Sequence, residues 1–413
     1  MIDANLRERV PGHVRDDQIV DFDYSGDWRI ERAGDVQIGM HALHSDAPDI
    51  FYSPRNGGFW VVTRLEPMSR ILSDPEHFSS REFAIPRLRT ADILIPGMLD
   101  PPDHLPYRLA LMRHFEPKRI KAMESTIRGW ANRLIDPVID EGRCEFAEQV
   151  GAAFPVSVFM ELMGLPLERL PDFRKLVNDF LRPEATIEEK VAVQQAILAE
   201  VAHYFDVKRR EPGDDLMTKL LDEQVNGRKL TDAELLSIGQ QLFFAGLDTV
   251  ANTLAFTFNH LAQRPDLQAR LAAQPQDVPK FVEEALRRFS IIQLARLVTQ
   301  DTEVAGAQFR EGDMVVCSLP IAGLDERANP NPETFDLDRE HRAHLAFGAG
   351  PHTCLGMHLA RLQIRVLIEE WLRRIPSFSR AADPAPRLRS GGIATLFDVY
   401  LEWPRPQGTG DVR

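Results

Sequence analysis

Cys354 stands in the run Phe347-Gly348-Ala349-Gly350-Pro351-His352-Thr353-Cys354-Leu355-Gly356. Glycines at 348, 350 and 356 permit a tight loop whose backbone N–H groups approach the sulfur with no Cβ in the way. Apolar residues at Leu355, Leu359, Leu362 and Val366 then keep helical spacing, so the cysteine falls at a helix N-terminus, where the macrodipole favours an anion. A thiol pKa below the ordinary value follows from that placement. A thiolate so presented suits the axial position of a haem iron; the plainer alternative is a buried structural cysteine in a turn.

A second group is Ala245-Gly246-Leu247-Asp248-Thr249, where an acid interrupts an apolar stretch of strong helical period. Gly246 carries no side chain and the Thr249 hydroxyl can bond a carbonyl one turn back. The helix ladder can therefore open into a small polar groove able to hold a diatomic molecule and a water. The alternative is a packed kink with Asp248 reaching a surface cation. A third group is Glu284-Ala285-Leu286-Arg287, whose i, i+3 charges share a helix face and by themselves make an ordinary ion pair.

The elements that must position these groups are mostly helical. Periodicity marks helices over 66–72, 108–114, 118–139, 147–164, 170–181 and 187–209, parted by Pro- or Gly-containing breaks. Thr231-Asp232-Ala233-Glu234 is a capping box that opens a long helix running to about Gln263. Another helix covers 279–289, and a last one follows the cysteine loop to Ile375-Pro376. Strands are expected at 58–63, after the Asn56-Gly57 turn signal, and over 299–320, with turns at Ala305-Gly306 and Glu311-Gly312. No repeat or flexible linker divides the chain, so residues 1–413 read as one mainly α domain with a small β-rich region.

The composition narrows the function classes. With 49 Lys and Arg against 62 Asp and Glu, the net charge of −13 argues against general affinity for nucleic acid or anionic membranes. Three cysteines, Cys144, Cys317 and Cys354, form neither a disulfide framework nor a CxxC pair, which fits a reducing cytoplasm. Residues 1–24 are charged and lack a signal or anchor pattern; the most apolar stretch, 242–258, is interrupted by Asp248 and Asn252 and reads as a core helix.

The ten-residue cysteine string resembles the haem-binding signature of the cytochromes P450, Phe-x-x-Gly-x-x-x-Cys-x-Gly. The similarity runs over nearly the whole chain and is strongest to the bacterial camphor 5-monooxygenase branch. Matching strings include Gly57-Gly58-Phe59-Trp60, His77-Phe78-Ser79-Ser80, Met98-Leu99-Asp100-Pro101-Pro102, Gln224-Val225-Asn226-Gly227-Arg228, Gly246-Leu247-Asp248-Thr249-Val250 and His358-Leu359-Ala360-Arg361. The resemblance implies the cytochrome P450 fold and haem b, with Cys354 as metal ligand and Phe347, Gly348 and Gly356 shaping its loop. His104, Arg108, Arg296 and His352 match basic partners of the haem propionates. Asp248 and Thr249 match the acid–alcohol pair, Thr249 bonding the oxygen under activation or a water beside it and Asp248 relaying protons. Glu284 and Arg287 match a structural pair, joined by a third member for which Arg327 is the candidate.

The same register places Phe83, Asp92, Leu94, Phe180, Leu181, Gln241, Phe244, Ile292, Ile393 and Ala394 at the substrate pocket. Asp92 stands where camphor enzymes have the tyrosine that bonds the ketone, which puts camphor itself in doubt. The activity implied is monooxygenation: hydroxylation, with O2, of a small hydrophobic molecule of terpenoid or norisoprenoid type. No flavin, nucleotide or iron–sulfur motif is present, so electrons must come from elsewhere; the resemblance implies a [2Fe-2S] ferredoxin served by a flavin-dependent reductase. Arg70, Arg108, Arg113 and Arg342 are candidate contacts for that partner. Rival readings are a peroxide-driven or rearranging haem-thiolate enzyme, a non-turnover haem sensor or carrier, and a helical binding protein without haem.

Overall fold

Two consecutive strands, β1 (Ile50–Ser53) and β2 (Phe59–Val62), are buried along their whole length. They form an antiparallel hairpin in register Tyr52↔Trp60, and the turn puts Asn56, Gly57 and Gly58 in left-handed backbone. The structure is a computed structural model that describes residues 4–45, 47–87, 93–181 and 186–405. Three further strands complete this sheet: β3 (Phe78–Ser79), β4 (Gln293–Val298) and β5 (Met314–Ser318), in the order β1-β2-β5-β4-β3. β5 runs parallel to β2, with Val315 opposite Trp60, and antiparallel to β4. The expected strand at 58–63 is β2. β4 escaped the sequence reading because its Gln293, Arg296 and neighbouring apolar residues alternate weakly and follow a helix end directly.

The helices that bear on the site are α1 (Leu65–Leu72), α2 (His104–Met112), α3 (Glu124–Ile139), α4 (Ala153–Met163), α5 (Leu170–Leu181), α6 (Ile187–Arg210), α7 (Asp232–Gly246), α8 (Thr249–Leu261), α9 (Val278–Arg288) and α10 (Met357–Arg374). The capping box at Thr231 is present, with Glu234 N–H bonded to the Thr231 hydroxyl at 3.3 Å and the Thr231 N–H to the Glu234 carboxylate at 2.7 Å. α10 lies along α3, where Arg128 bridges Glu369 and Glu370 at 2.7 Å each. Its Trp371 is wholly buried and meets Phe146, Phe258, Phe378 and Trp403 edge-on, with ring centroids 5.3–5.8 Å apart. Within this core α8 packs against both α4 and α10. Among the described residues, no helix is long and apolar enough to cross a membrane.

The long helix expected from Thr231 to about Gln263 is two helices, parted where the ladder was expected to open, between Gly246 and Thr249. Residues 247 and 248 leave the helical ladder, and α8 starts afresh at Thr249. Gly246 contributes a close approach: a Cβ there would lie 2.3 Å from the Phe159 ring of α4. Gly246→Val is therefore expected to cost about 1–3 kcal/mol in urea unfolding, the range for overpacking a filled core. An unchanged midpoint would mean that Phe159 swings aside freely.

Candidate active site

The cysteine loop is built from short backbone hydrogen bonds. Gly348 N–H bonds Leu345 C=O at 2.8 Å, Cys354 N–H bonds Phe347 C=O at 2.9 Å, and Gly350–His352 form a single 3-10 turn. Gly350 has φ +68°, and a Cβ on it would sit 2.5 Å from the Leu72 carbonyl at the end of α1, so only glycine lets the loop rest there. The Gly356 N–H donates to the Cys354 sulfur, as the loop's glycine spacing leads one to expect. Arg361 of α10 lies 4.5 Å from the centre of the Phe347 ring and bonds Glu283 at 2.6 Å.

The expected low thiol pKa is overturned. α10 begins at Met357 with Gly356 as its cap, so Cys354 lies beyond the first turn, where the dipole fades. Although Cys354 itself is exposed, the protein packed around its sulfur strips solvation from the thiolate and raises the thiol, outweighing the Gly356 N–H and the charges of Arg108 and Arg361, which pull it down. Sulfur held in this way becomes anionic when a metal displaces its proton.

Four basic residues from distant parts of the chain converge beside this loop. The rings of His104, at the start of α2, and His352 lie with centroids 4.3 Å apart. Arg108, one turn along α2, donates to the Thr353 carbonyl. Arg296 of β4 is buried and bonds the carbonyl of its own neighbour, Ala295, at 2.8 Å, with no carboxylate at ion-pair distance among the described residues. Burial first, then the charges of Arg296, His104 and Arg108, push the His352 imidazole down to about 3; burial and then Arg108 lower His104. Nε2 of both histidines is buried and makes no hydrogen bond. The buried Arg296, the half-buried Arg108 and the unsatisfied ring nitrogens together describe a binding place for a carboxylate-bearing ligand.

At the break between α7 and α8, the Thr249 hydroxyl bonds the Ala245 carbonyl at 3.2 Å, one turn back. Asp248 accepts from Asn252 Nδ2 at 2.7 Å, a partner the sequence reading missed although i, i+4 spacing offers it. Burial raises the Asp248 carboxyl to about 6; the Arg389 charge and the Asn252 hydrogen bond lower it, and Glu148 adds to the rise. Asp248 thus exchanges its proton close to neutral pH.

Glu284 and Arg287 are both wholly buried and doubly bonded, at 2.9 and 2.7 Å. Their third member is not Arg327, which sits at the surface against Asp49 at 2.6 Å. Arg339 takes that place, with Nε 3.3 Å from Glu284 Oε1, and Arg342 lies 3.6 Å from Oε2. Arg327 enters the wrong side because Asp325, two residues earlier, turns its segment toward Arg64 and Asp49. Arg342 therefore faces inward and drops out as a partner contact, whereas Arg70 and Arg113 are exposed.

Of the pocket positions, Gln241, Phe244, Ile292 and Ile393 are half-buried, and Ile292 and Ile393 pair as an isolated antiparallel bridge. Leu94 is buried, and Phe83 is 44% exposed. Ala394 has no accessible surface, and its N–H bonds Ile291 C=O at 2.8 Å; alternation along extended backbone turns it away from the side Ile393 occupies, so it lines no open space. Asp92 and the side chains of Phe180 and Leu181 lie outside the described residues.

Comparison with known proteins bears on the whole of this arrangement. The sequence model of the family described as Cytochrome P450 matches residues 156–389. A probable cytochrome P450 127A1 from Sinorhizobium fredii is 36% identical over 376 residues, spanning 90% of each chain. The crystal structure of CYP101J2 superimposes with a TM-score of 0.88 at 33% identity, covering 96% of this chain and 99% of that one; CYP101C1 gives 0.88 at 29%, covering 96% and 100%. A cysteine loop flanked by four convergent basic residues, a broken helix carrying Asp248-Thr249, and a relative matched along nine-tenths of its length leave one assignment: the chain belongs to the cytochrome P450 family of monooxygenases.

Proposed function

We propose that this P450 hydroxylates a small hydrophobic molecule of terpenoid or norisoprenoid type, with electrons from a [2Fe-2S] ferredoxin and its flavin-dependent reductase, in the cytoplasm. Members of the family bind haem b. The observation that carries the reading is the orphaned pair of buried imidazole nitrogens beside buried Arg296, a donor set that suits two propionates. His104, Arg108, Arg296 and His352 would hold those propionates, and Cys354 the iron. Bound there, haem would supply oxygen binding and one-electron chemistry, and a thiolate ligand would favour O–O cleavage.

The chain's own residues do the rest. The Phe347 ring and the Gly348 and Gly356 turns fix the sulfur; Thr249 would hold a water from the Ala245 side; Asp248, titrating near 6, would pass protons inward. Apolar Leu94, Phe244, Ile292 and Ile393 support burial of a substrate with few polar handles. The acidic chain still offers exposed Arg70 and Arg113 for an acidic electron donor.

Thr249→Ala is expected to keep reductant consumption while most of it ends as peroxide and not as hydroxylated product; tight coupling in that variant would reject the proton-delivery role of Thr249. The companion variant Asp248→Asn has a double signature. A carboxyl raised from its ordinary value to about 6 opposes folding once ionised, so stability is lost as pH climbs from about 4 to 6. Asp248→Asn should therefore melt higher than the parent above pH 6, match it below pH 4, and turn over more slowly throughout. Equal melting temperatures at pH 7.5 would contradict the raised carboxyl.

A further inference from the structure

Residues 237, 241, 245 and 249 follow one another at intervals of four and share a face of α7 that continues into α8. At one end of this stripe Ser237 clamps the segment before α2, accepting from Ile95 N–H at 2.8 Å and donating to the Ile93 carbonyl. At the other end is Thr249, bonded to Ala245 C=O. Gln241 lies between them. Its amide rests on Gly97 so closely that a Cβ there would sit 2.5 Å from Oε1 and 3.5 Å from Nε2, which leaves the NH2 as the outer group. The side chain is half-buried and makes no hydrogen bond to any other described residue, while Leu94 and Met98 of the facing segment are buried apolar neighbours along the chain. Among the pocket positions that are described, it alone is polar.

We infer that Gln241 is the hydrogen-bonding anchor of the substrate, which is an otherwise apolar molecule carrying one oxygen acceptor, a ketone or an ether. This rests on the monooxygenase pocket proposed above and names what that pocket selects. A half-buried amide that loses water to a hydrocarbon is left unsatisfied, whereas an acceptor oxygen restores the bond; the site discriminates by what it would leave unpaired. The anchor also fixes orientation, since a rigid skeleton held at one oxygen presents one region to the Thr249 end of the stripe.

Adamantane and 2-adamantanone are matched probes of the same skeleton. Their dissociation constants would be read by spin-state titration of the haem-loaded protein, and the carbonyl stretch of the bound ketone by infrared. In Gln241→Leu the ratio of hydrocarbon to ketone dissociation constants is expected to fall about five- to tenfold, the worth of one hydrogen bond, with the carbonyl stretch moving up. Gly97→Ala keeps the glutamine but displaces its amide, and should move both readouts the same way. A ratio unchanged within about twofold and an unmoved stretch in both variants overturn the anchor while hydrocarbon binding leaves the pocket reading standing. Absence of any spin shift with either probe in the parent protein overturns the pocket reading, and the anchor with it.

Discussion

Cys354→Ser is expected to yield a folded protein that has lost the strongly red-shifted carbon monoxide band of a thiolate-ligated ferrous haem, together with all measurable hydroxylation. The fold should survive because the bonds shaping the loop come from backbone groups: Gly348 to Leu345, Cys354 to Phe347 and Thr353 to Gly350 are amide to carbonyl. The substitution replaces only the sulfur that accepts from Gly356. Stability of the haem-free variant should change by no more than about 1 kcal/mol, as for substitutions that break no buried network. Hydroxyl is a harder and far less acidic ligand than thiol, so the electron donation that aids O–O cleavage goes with it. Retention of the red-shifted band would move the ligand elsewhere. Cys144 and Cys317 are poor substitutes: both are buried, and burial pushes the Cys317 thiol up to about 12 and Cys144 above that range.

Breaking the Glu284–Arg287 pair should have the largest effect on the fold itself. Both side chains have no accessible surface, and Arg287 also donates to the carbonyls of Gly323 at 2.6 Å, Pro332 at 2.7 Å and Thr334 at 3.0 Å. Glu284 in turn accepts from Asp336 N–H at 2.9 Å. Removing either partner strands a buried charge, so Glu284→Ala or Arg287→Ala is expected to cost about 3–5 kcal/mol in urea unfolding and to yield little haem-loaded protein. Arg287→Lys should not rescue it, because an ammonium cannot span two carboxylate oxygens and three carbonyls. The control is Arg327→Ala. Its pair with Asp49 is exposed, and the loss should stay below about 1 kcal/mol. Comparable losses at 287 and 327 would restore Arg327 to the network in place of Arg339.

Much of this was legible in the sequence for reasons that differ from residue to residue. The cysteine loop, the capping box at Thr231 and the hairpin turn at Asn56-Gly57 are local: neighbours in sequence make the contact, so spacing alone reveals them. The quartet of His104, Arg108, Arg296 and His352 converges from three separate segments, and only the family register could assemble it. What escaped was decided by tertiary packing. Gly246 and Thr249 announce that the ladder can open, but apolar residues continue through 232–261, so the full break at residues 247 and 248, and the press of Phe159 on Gly246 from another helix, show only in the fold. Likewise Arg327, Arg339 and Arg342 are equivalent as letters in an irregular segment. Which of them turns inward depends on the Asp49 and Arg64 side chains, far away in the chain. The thiol's direction failed for a related reason: helix spacing locates a dipole, but the weight of burial against it needs the folded surroundings.

The central sheet sets an order of events during synthesis. β2 ends at Val62, yet its neighbour β5 begins at Met314, and β4, which precedes β5 in the chain, is connected to β2 only through it. At about 5–20 residues per second, the first hairpin waits roughly ten to fifty seconds for its parallel partner to emerge. Through that interval a buried strand has an open edge, the condition that invites mispairing or a holding chaperone. The cofactor's place is finished later still, since His352 and Cys354 follow β5. Prosthetic-group insertion would thus wait until both β5 and the cysteine loop have emerged.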